Sequence, residues 1–292
     1  MKKKIINLVI ALVIVLFVNL MGESPETENS YNDVSNFKEG SNLEVHFIDV
    51  GQADSILIKS GTESMLIDAG NNADGDLVVN YLKEQEISDL KFVIGTHPHE
   101  DHIGGLDDVI DNFNIATIIM PNVMHTTKTF EDVLDSINNK GLKINSPKVG
   151  TTYDLNGASV LILAPNSEEY KELNNYSVVV KLTHGENSFL FTGDAEALSE
   201  NEMMENNIGV LDSDILKIGH HGSITSTSGE FLDAVNPKYA IISLGKDNDY
   251  GHPHKEIIEL LEENEIEILR TDKMGTIVAT SDGTILDLYT VR

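Results

Sequence analysis

The chain is organised around one stretch, Thr96-His97-Pro98-His99-Glu100-Asp101-His102-Ile103-Gly104-Gly105. Three histidines and two carboxylates fall within residues 97–102. The apolar run 90–95 just before it predicts a short buried strand. Because Pro98 is incompatible with a regular helix, we expect the cluster to lie on a loop at the end of that strand. Imidazole and carboxylate side chains at this density favour a site for zinc, manganese or iron.

The spacing inside this histidine cluster suggests two groups of ligands. His97 and His99 are two residues apart, so their side chains can converge if the loop curls. Asp101 and His102 are adjacent and would point apart in an extended chain, so a turn is needed to aim both at a second centre. The alternative is a polar surface loop with scattered histidines, which the spacing disfavours.

Composition limits the classes of function. The chain has 292 residues, enough to bury a sizeable core in one large or two small domains. It carries 48 acidic against 20 basic residues, a net charge of −28. That balance argues against a general nucleic-acid-binding surface, although a local basic groove would be compatible with it. There is no cysteine, so disulfides, thiolate ligands and a cysteine nucleophile are excluded.

The first 42 residues differ from the rest. A basic cap, Met1-Lys2-Lys3-Lys4, precedes a nearly continuous apolar run that ends at Met21. This pattern predicts a signal peptide or an N-terminal membrane anchor over 1–21, and therefore an extracellular protein or one anchored to the outer face of the cytoplasmic membrane. Residues 22–42 are polar and predict a flexible spacer, and the folded domain is expected over 43–292.

Within that domain, strand and helix patterns alternate in both halves. The predicted strands cover 43–50, 55–59, 64–68, 90–95, 115–120, 159–163, 176–182, 188–192, 215–218, 239–244, 266–270, 277–280 and 285–289, and the predicted helices cover 76–85, 106–112, 129–139, 195–206, 227–235 and 253–263. This order predicts a layered α/β fold, with two mixed sheets face to face and helices outside.

Together with the histidine cluster, four further stretches resemble the metallo-β-lactamase superfamily. They are Phe47-Ile48-Asp49-Val50-Gly51-Gln52-Ala53-Asp54-Ser55, Leu66-Ile67-Asp68-Ala69-Gly70, Phe191-Thr192-Gly193-Asp194-Ala195-Glu196, and the run from Lys217-Ile218-Gly219-His220-His221-Gly222-Ser223 to Tyr250-Gly251-His252-Pro253. Within the superfamily they look most like the branch of ComEC-type competence proteins and secreted phosphorylcholine esterases. The resemblance implies an αββα sandwich with metals at the edge where the halves meet.

The resemblance also implies two divalent ions, zinc first, with manganese or iron as alternatives. The first would be held by His97, His99 and Asp194, and the second by Asp101, His102, Asp194 and His221. Many family members supply a third histidine to the first metal from the middle of the chain. Here that region reads Asn174-Asn175-Tyr176-Ser177 and has no histidine.

Other site residues are expected around these ligands. Asp68 would hydrogen-bond a metal-binding imidazole, with a turn cap as the alternative. Only one of the pair His220 and His221 is expected to reach a metal. In the superfamily that the chain resembles, a small residue follows the metal-binding histidine, which favours His221. His220 would then face the substrate or contact a metal ligand from outside. Substrate contacts are expected from Ser223, Asn248 and His252, with plain surface positions as the alternative for the last two.

Such a site would suit an exported hydrolase of a phosphodiester, either nucleic acid or a phosphocholine-type ester. Two cations about 4 Å apart can hold a hydroxide and lower its pKa toward 7. Asp101, Asp194 and His220 are the expected catalytic residues, with Asp101 orienting the hydroxide or taking its proton. The alternatives are a β-lactamase or lactonase, and a non-catalytic binding module stabilised by metal. The expected partners are a small or polymeric phosphodiester and, through 1–21, the cell envelope.

Overall fold

The computed structural model describes residues 43–207 and 209–291. The predicted signal peptide or anchor at 1–21 and the predicted spacer at 22–42 lie outside these ranges. Within the described ranges, no helix combines the length and the apolar character needed to cross a membrane.

The strands follow one another in chain order as β1 (Leu43–Phe47), β2 (Ser55–Ser60), β3 (Glu63–Ala69), β4 (Asp89–Ile94), β5 (Asn114–Ile119), β6 (Ile144–Asn145), β7 (Thr152–Leu155), β8 (Ala158–Ala164), β9 (Val179–His184), β10 (Asn187–Phe191), β11 (Ile215–Lys217), β12 (Tyr239–Ile242), β13 (Glu267–Arg270), β14 (Thr276–Ser281) and β15 (Leu286–Val291). The helices are α1 (Gly75–Glu84), α2 (Glu100–Ile103), α3 (Leu106–Asn112), α4 (Lys128–Asn139), α5 (Ala197–Asn207), α6 (Gly229–Val235), α7 (Lys255–Glu263) and α8 (Thr271–Met274).

These strands form two mixed sheets, as predicted. The first has the order β15-β14-β1-β2-β3-β4-β5-β6, and the second has the order β13-β12-β11-β10-β9-β8-β7. In the first sheet β3, β4 and β5 are parallel, and in the second β10 to β13 are parallel. Parallel strands end at the same sheet edge, so the segments after β3, β4, β10 and β11 come together there. The segments after β4, β10 and β11 carry the predicted metal ligands, and Asp68 lies near the end of β3.

Apolar side chains hold the layers together. Phe47 of β1 and Phe191 of β10 meet between the two sheets, with ring centroids 6.1 Å apart. The amphipathic helix α4 buries Phe130, Val133 and Ile137 against the outer side of the first sheet, in one cluster with α1 and α3. Helices α6 and α7 cover the second sheet in the same way. The strands that carry the site are therefore fixed from both faces.

The structure corrects the prediction for the histidine cluster. Residues Glu100–Ile103 form one helical turn, α2, where a loop was expected. The helix begins after Pro98, with His99 in an extended conformation at its N-cap, so the proline does not enter it. This turn aims Asp101 and His102 in compatible directions.

Four smaller differences concern short elements or pairing between distant parts of the chain. The strands β6 and β7 and the helix α8 were not predicted, because each has two to four residues and too little periodicity to detect. The C-terminal hairpin also returns to the first sheet, where β14 pairs antiparallel with β1. The first sheet is thus built from both halves of the chain.

Gly104 and Gly105 allow the histidine cluster to pack backbone against backbone. A Cβ on Gly104 would lie 2.2 Å from the carbonyl carbon of Asn71 and from the amide nitrogen of Asn72. A Cβ on Gly105 would lie 2.5 Å from the carbonyl oxygen of Ala69. These contacts fix α2 against the segment that follows β3.

Gly104→Ala should therefore lower the free energy of unfolding by about 1–3 kcal/mol, as overpacking of a tight site does. Urea unfolding measures this change. Gly229→Ala, at the first position of α6, is the control, because its Cβ would meet only a Leu260 methyl at 3.9 Å. Equal stability of the Gly104 and Gly229 variants would contradict the close packing.

Candidate metal centre

Asp194 lies at the middle of the site, and its two carboxylate oxygens face different partners. The residue follows β10 and is 1% exposed. Its Oδ1 is 3.2 Å from Nε2 of His102 and 3.7 Å from Nε2 of His221. Its Oδ2 is 3.6 Å from Nε2 of His220 and 3.9 Å from Nε2 of His97. A carboxylate placed in this way can bridge two cations.

Four residues form the more compact of the two predicted centres. The ligand atoms of Asp101, His102, Asp194 and His221 all lie within 4.8 Å of one another. Oδ2 of Asp101 is 3.3 Å from Nε2 of His221. Two ligands of one cation are about 3–3.5 Å apart when each bond is about 2.1 Å, so these separations suit a shared ion.

Unpaired polar atoms in this centre fit a bound cation. Oδ1 of Asp194 and the Nε2 atoms of His102 and His221 are buried, and none has a hydrogen-bond partner among the described residues. Buried polar atoms are normally paired, because an unpaired one is costly. A divalent ion would satisfy all three at once, and carboxylate oxygen with imidazole nitrogen is a suitable donor set for zinc, manganese or iron.

The other predicted centre is looser. Nε2 of His97 is 2.9 Å from Nδ1 of His99, so both nitrogens face one point. His97 is fully buried and His99 is partly exposed. Within residues 43–207 and 209–291, these two histidines do not belong to a group as compact as the four-residue centre. The site is therefore asymmetric.

Asp68 contacts the compact centre from outside, through a hydrogen bond to His102. Its carboxylate accepts hydrogen bonds from the backbone N–H and the hydroxyl of Thr96, at 2.8 and 2.7 Å, and from Nδ1 of His102 at 2.8 Å. The bond to Nδ1 directs the lone pair of His102 Nε2 toward Asp194. This is the usual way in which an outer carboxylate orients a metal-binding imidazole.

Asp68→Asn should weaken metal binding by about 10–100-fold, the usual effect of losing such a partner. The amide nitrogen would present a donor where His102 and Thr96 both need an acceptor. A competition titration against a chelator dye measures the change, and Asp111→Asn, at an exposed position of α3, serves as the control. Unchanged affinity in the Asp68 variant would contradict the orienting role.

The electrostatics of the site favour a cation. Burial alone would lower the pKa of His102, but the carboxylates of Asp194 and Asp68 outweigh it and raise that pKa well above its usual range. Burial and the nearby charge on His102 together hold the pKa of His97 well below its usual range. The ring of His97 is therefore kept neutral, as a metal ligand must be, while the carboxylates attract positive charge.

A buried ion pair that the sequence analysis did not assign supports His221. Nζ of Lys217 is 2.8 Å from Oδ2 of Asp54 and donates to the carbonyl oxygen of Ile218 at 3.0 Å. Oδ1 of Asp54 is 3.5 Å from Nδ1 of His221, and that nitrogen also bonds the carbonyl oxygen of Ser243 at 2.9 Å. Asp54 and Lys217 both lie in stretches that resemble the superfamily, but they are so far apart in sequence that their pairing is not evident without the fold.

His220 and His221 both reach Asp194 because of an unusual backbone. Their φ/ψ values are 51°/45° and 54°/23°, so two consecutive non-glycine residues are left-handed. Each such residue costs about 1–3 kcal/mol. The expectation that adjacent side chains diverge does not apply to this geometry.

A cavity of about 310 Å³ opens onto the site. Its lining residues are Gln52, His99, Glu100, Asp101, Asp194, His220, His221, Tyr250 and His252. Burial, with charge on His220 and His221, lowers the pKa of His252 to about 4, so its ring is neutral at pH 7. Gln52 and Tyr250 were not predicted, although both lie in the quoted motifs.

The other two predicted substrate residues lie elsewhere. Ser223 is 4% exposed, and its hydroxyl bonds the hydroxyl of Thr225 at 3.1 Å. The amide group of Asn248 donates to the carbonyl oxygens of Gly245 and His252, at 3.0 and 2.7 Å, and accepts from the backbone N–H of His252 at 3.0 Å. Asn248 thus closes the loop that presents His252, and neither residue lines the cavity.

The fold and this ligand arrangement define a class. The chain belongs to the metallo-beta-lactamase superfamily, whose family model matches residues 48–246. Among solved structures it is similar to the metallo-beta-lactamase fold protein YhfI from Bacillus subtilis, with a TM-score of 0.51, 14% identity, and coverage of 78% of this chain and 96% of that one. At that identity the likeness shows the fold alone.

Within this superfamily, the chain is similar to proteins named for competence. ComE operon protein 3 of Bacillus subtilis (strain 168) is 33% identical over 252 residues, which cover 80% of this chain and 32% of that protein. Competence protein ComA of Neisseria gonorrhoeae is 28% identical over 238 residues, covering 78% of this chain and 31% of that protein. The chain spans about a third of the length of these relatives. The predicted resemblance to ComEC-like competence proteins is confirmed.

Proposed function

We propose that this chain is a binuclear metal-dependent hydrolase of phosphodiesters. The observation that carries the proposal is that the two carboxylate oxygens of Asp194 face different histidines. Oδ1 faces His102 and His221, and Oδ2 faces His97 and His220. A single cation would not require both oxygens of a buried carboxylate to face separate sets of imidazole nitrogens.

The residues that would hold the ions are those already named. His97, His99 and Asp194 would hold the first, and Asp101, His102, Asp194 and His221 would hold the second. When bound, two divalent ions supply a Lewis-acid clamp for the scissile group and lower the pKa of water. The protein contributes the fixed positions of these ligands and the outer contacts that orient them.

Side chains on the cavity wall supply the remaining chemistry. The side chain of Asp101 is 32% exposed, so its carboxylate can accept a hydrogen bond from a water in the cavity and orient that water. His252 is neutral at pH 7, and its buried Nδ1 has no hydrogen-bond partner among the described residues. The imidazole of His252 can donate a hydrogen bond to an oxygen of the substrate's phosphoryl group. The exposed Tyr250 stacks against this imidazole, with ring centroids 5.6 Å apart.

Two further facts support a phosphodiester as the substrate. One matched relative is named a competence protein, and competence is the uptake of DNA, whose backbone is a phosphodiester. Among the residues that the structure describes, the cavity lining includes no lysine or arginine, so bound cations would balance the charge of one phosphoryl group. With a net charge of −28, the chain would engage a nucleic acid locally, and a small phosphocholine-type ester is the compact alternative.

A substrate panel tests this function. Purified chain loaded with Zn²⁺ or Mn²⁺ would be assayed with bis-p-nitrophenyl phosphate, p-nitrophenyl phosphocholine, single-stranded DNA, a chromogenic β-lactam and a lactone. We expect hydrolysis of at least one phosphodiester, abolished by EDTA and restored by metal. Faster turnover of the β-lactam or the lactone than of every phosphodiester would contradict the proposal. A metal-loaded chain inactive on the whole panel would instead favour a binding module.

We also propose that the chain acts outside the cytoplasm, on the evidence of the basic cap and apolar run of residues 1–21. Fractionation of cells that express the full chain would find it at the membrane or in the medium. Recovery of the full-length chain only from the cytosol would contradict export.

A further inference from the structure

The first metal centre lacks a ligand that the compact centre has. Among the described residues, the predicted compact centre draws on three residues besides Asp194, whereas the predicted first centre draws on His97 and His99. Residues 174–177, in the middle of the chain, do not supply this ligand. The amide groups of Asn174 and Asn175 turn to Glu196, donating to its carboxylate at 3.1 and 3.3 Å.

His220 approaches the same oxygen of Asp194 as His97 does. Its Nε2 is 3.6 Å from Oδ2 of Asp194, the oxygen that His97 also faces and that the compact centre does not approach through His102 or His221. It lines the same cavity as His99. It is therefore on the first-centre side of the bridging carboxylate.

The ring of His220 is also oriented in the way the other ligands are. Its Nδ1 bonds the hydroxyl of Thr225 at 3.0 Å, which leaves Nε2 directed at Asp194. His102 and His221 show the same arrangement, with Nδ1 held by Asp68 or by the carbonyl oxygen of Ser243. Three imidazoles thus present Nε2 to one carboxylate while an outer partner holds Nδ1.

The backbone gives an independent reason. Both His220 and His221 occupy left-handed conformations that non-glycine residues rarely adopt. Such strain persists where the structure over-determines it, and it clusters at functional sites. Here the consequence of the strained pair is that both Nε2 atoms reach Asp194, one at each oxygen.

We propose that Nε2 of His220 is the third protein ligand of the first metal ion, together with His97, His99 and Oδ2 of Asp194. This rests on the proposed binuclear function and replaces the substrate-side role that the sequence alone suggests for His220. The adjacent pair then serves both ions, one histidine each, and compensates for the histidine absent from residues 174–177.

Metal stoichiometry and affinity test the assignment in two variants of the full chain. His220→Ala removes the imidazole, and His220→Asn keeps a polar group near Thr225 at the position of Nδ1 but has no atom at Nε2. The matched control is His252→Ala, which removes a histidine from the same cavity, with its ring 5.7 Å from that of His220. Circular dichroism and melting confirm that each variant is folded.

Metal content after dialysis, and Zn²⁺ titration against a chelator dye, are the readouts. We expect two ions in the wild type and in His252→Ala. Both His220 variants should keep one ion with unchanged affinity and bind the other at least about tenfold more weakly. Two ions of unchanged affinity in the His220 variants, or equal weakening of both ions, would overturn the assignment while leaving the proposed function standing. A wild type with fewer than two ions would overturn both.

Discussion

Asp194→Asn is expected to release at least one of the two metal ions and to reduce turnover by about 100-fold or more. Both centres share this carboxylate, so the amide removes negative charge and one oxygen donor from both. Stabilisation by metals amounts to several kcal/mol in the transition state, and each 1.4 kcal/mol is a factor of ten in rate. The substitution is nearly isosteric, so the fold should remain intact.

Metal content and turnover on the best substrate of the panel are measured for this variant beside Asp76→Asn. Asp76 is an exposed residue in the first turn of α1, one position inside the helix, and its substitution should change neither quantity. Two retained ions with normal turnover in the Asp194 variant would show that the carboxylate does not bridge the ions.

Lys217→Met is expected to lower the free energy of unfolding by about 3–5 kcal/mol, because it leaves the buried carboxylate of Asp54 without its cation. Lys217 is fully buried and Asp54 is 2% exposed. Methionine fills similar space, so the loss comes mainly from the unpaired charge. Metal affinity should fall as well, since Asp54 lies beside the Nδ1 of His221.

Urea unfolding at one fixed free-metal concentration measures this effect, because bound metal adds to the apparent stability. Lys255→Met is the control, since Lys255 forms an exposed pair with Glu259 on α7, and it should leave stability unchanged. The double variant Asp54→Asn/Lys217→Met should recover part of the loss, because neither position of the pair is then charged. If Lys217→Met were as stable as Lys255→Met, the buried pair would not support the site.

The parts of the fold visible in the sequence are those determined locally. The strand before His97 and the amphipathic helix at Lys128–Asn139 are set by short-range patterns of apolar residues, and both were predicted to within one or two residues. The pairing of β14 with β1 was not predicted, because nothing near either strand indicates a partner more than two hundred residues away.

The same distinction applies to the site. The six predicted metal ligands meet at one edge because parallel strands deliver them there. The Asp54–Lys217 pair is absent from the predictions because burial, rather than residue type, makes it significant. The convergence of His220 and His221 depends on two positive φ angles that no pattern of side chains reveals.

X-ray anomalous scattering at the zinc or manganese edge, from crystals of the metal-loaded chain, tests the central claim most directly. Two peaks are predicted about 4 Å apart, one beside each oxygen of Asp194. One of them should lie among Asp101, His102 and His221, and the other against His97 and His99. A single peak, or none within reach of Asp194, would contradict the binuclear site and the hydrolytic function proposed from it.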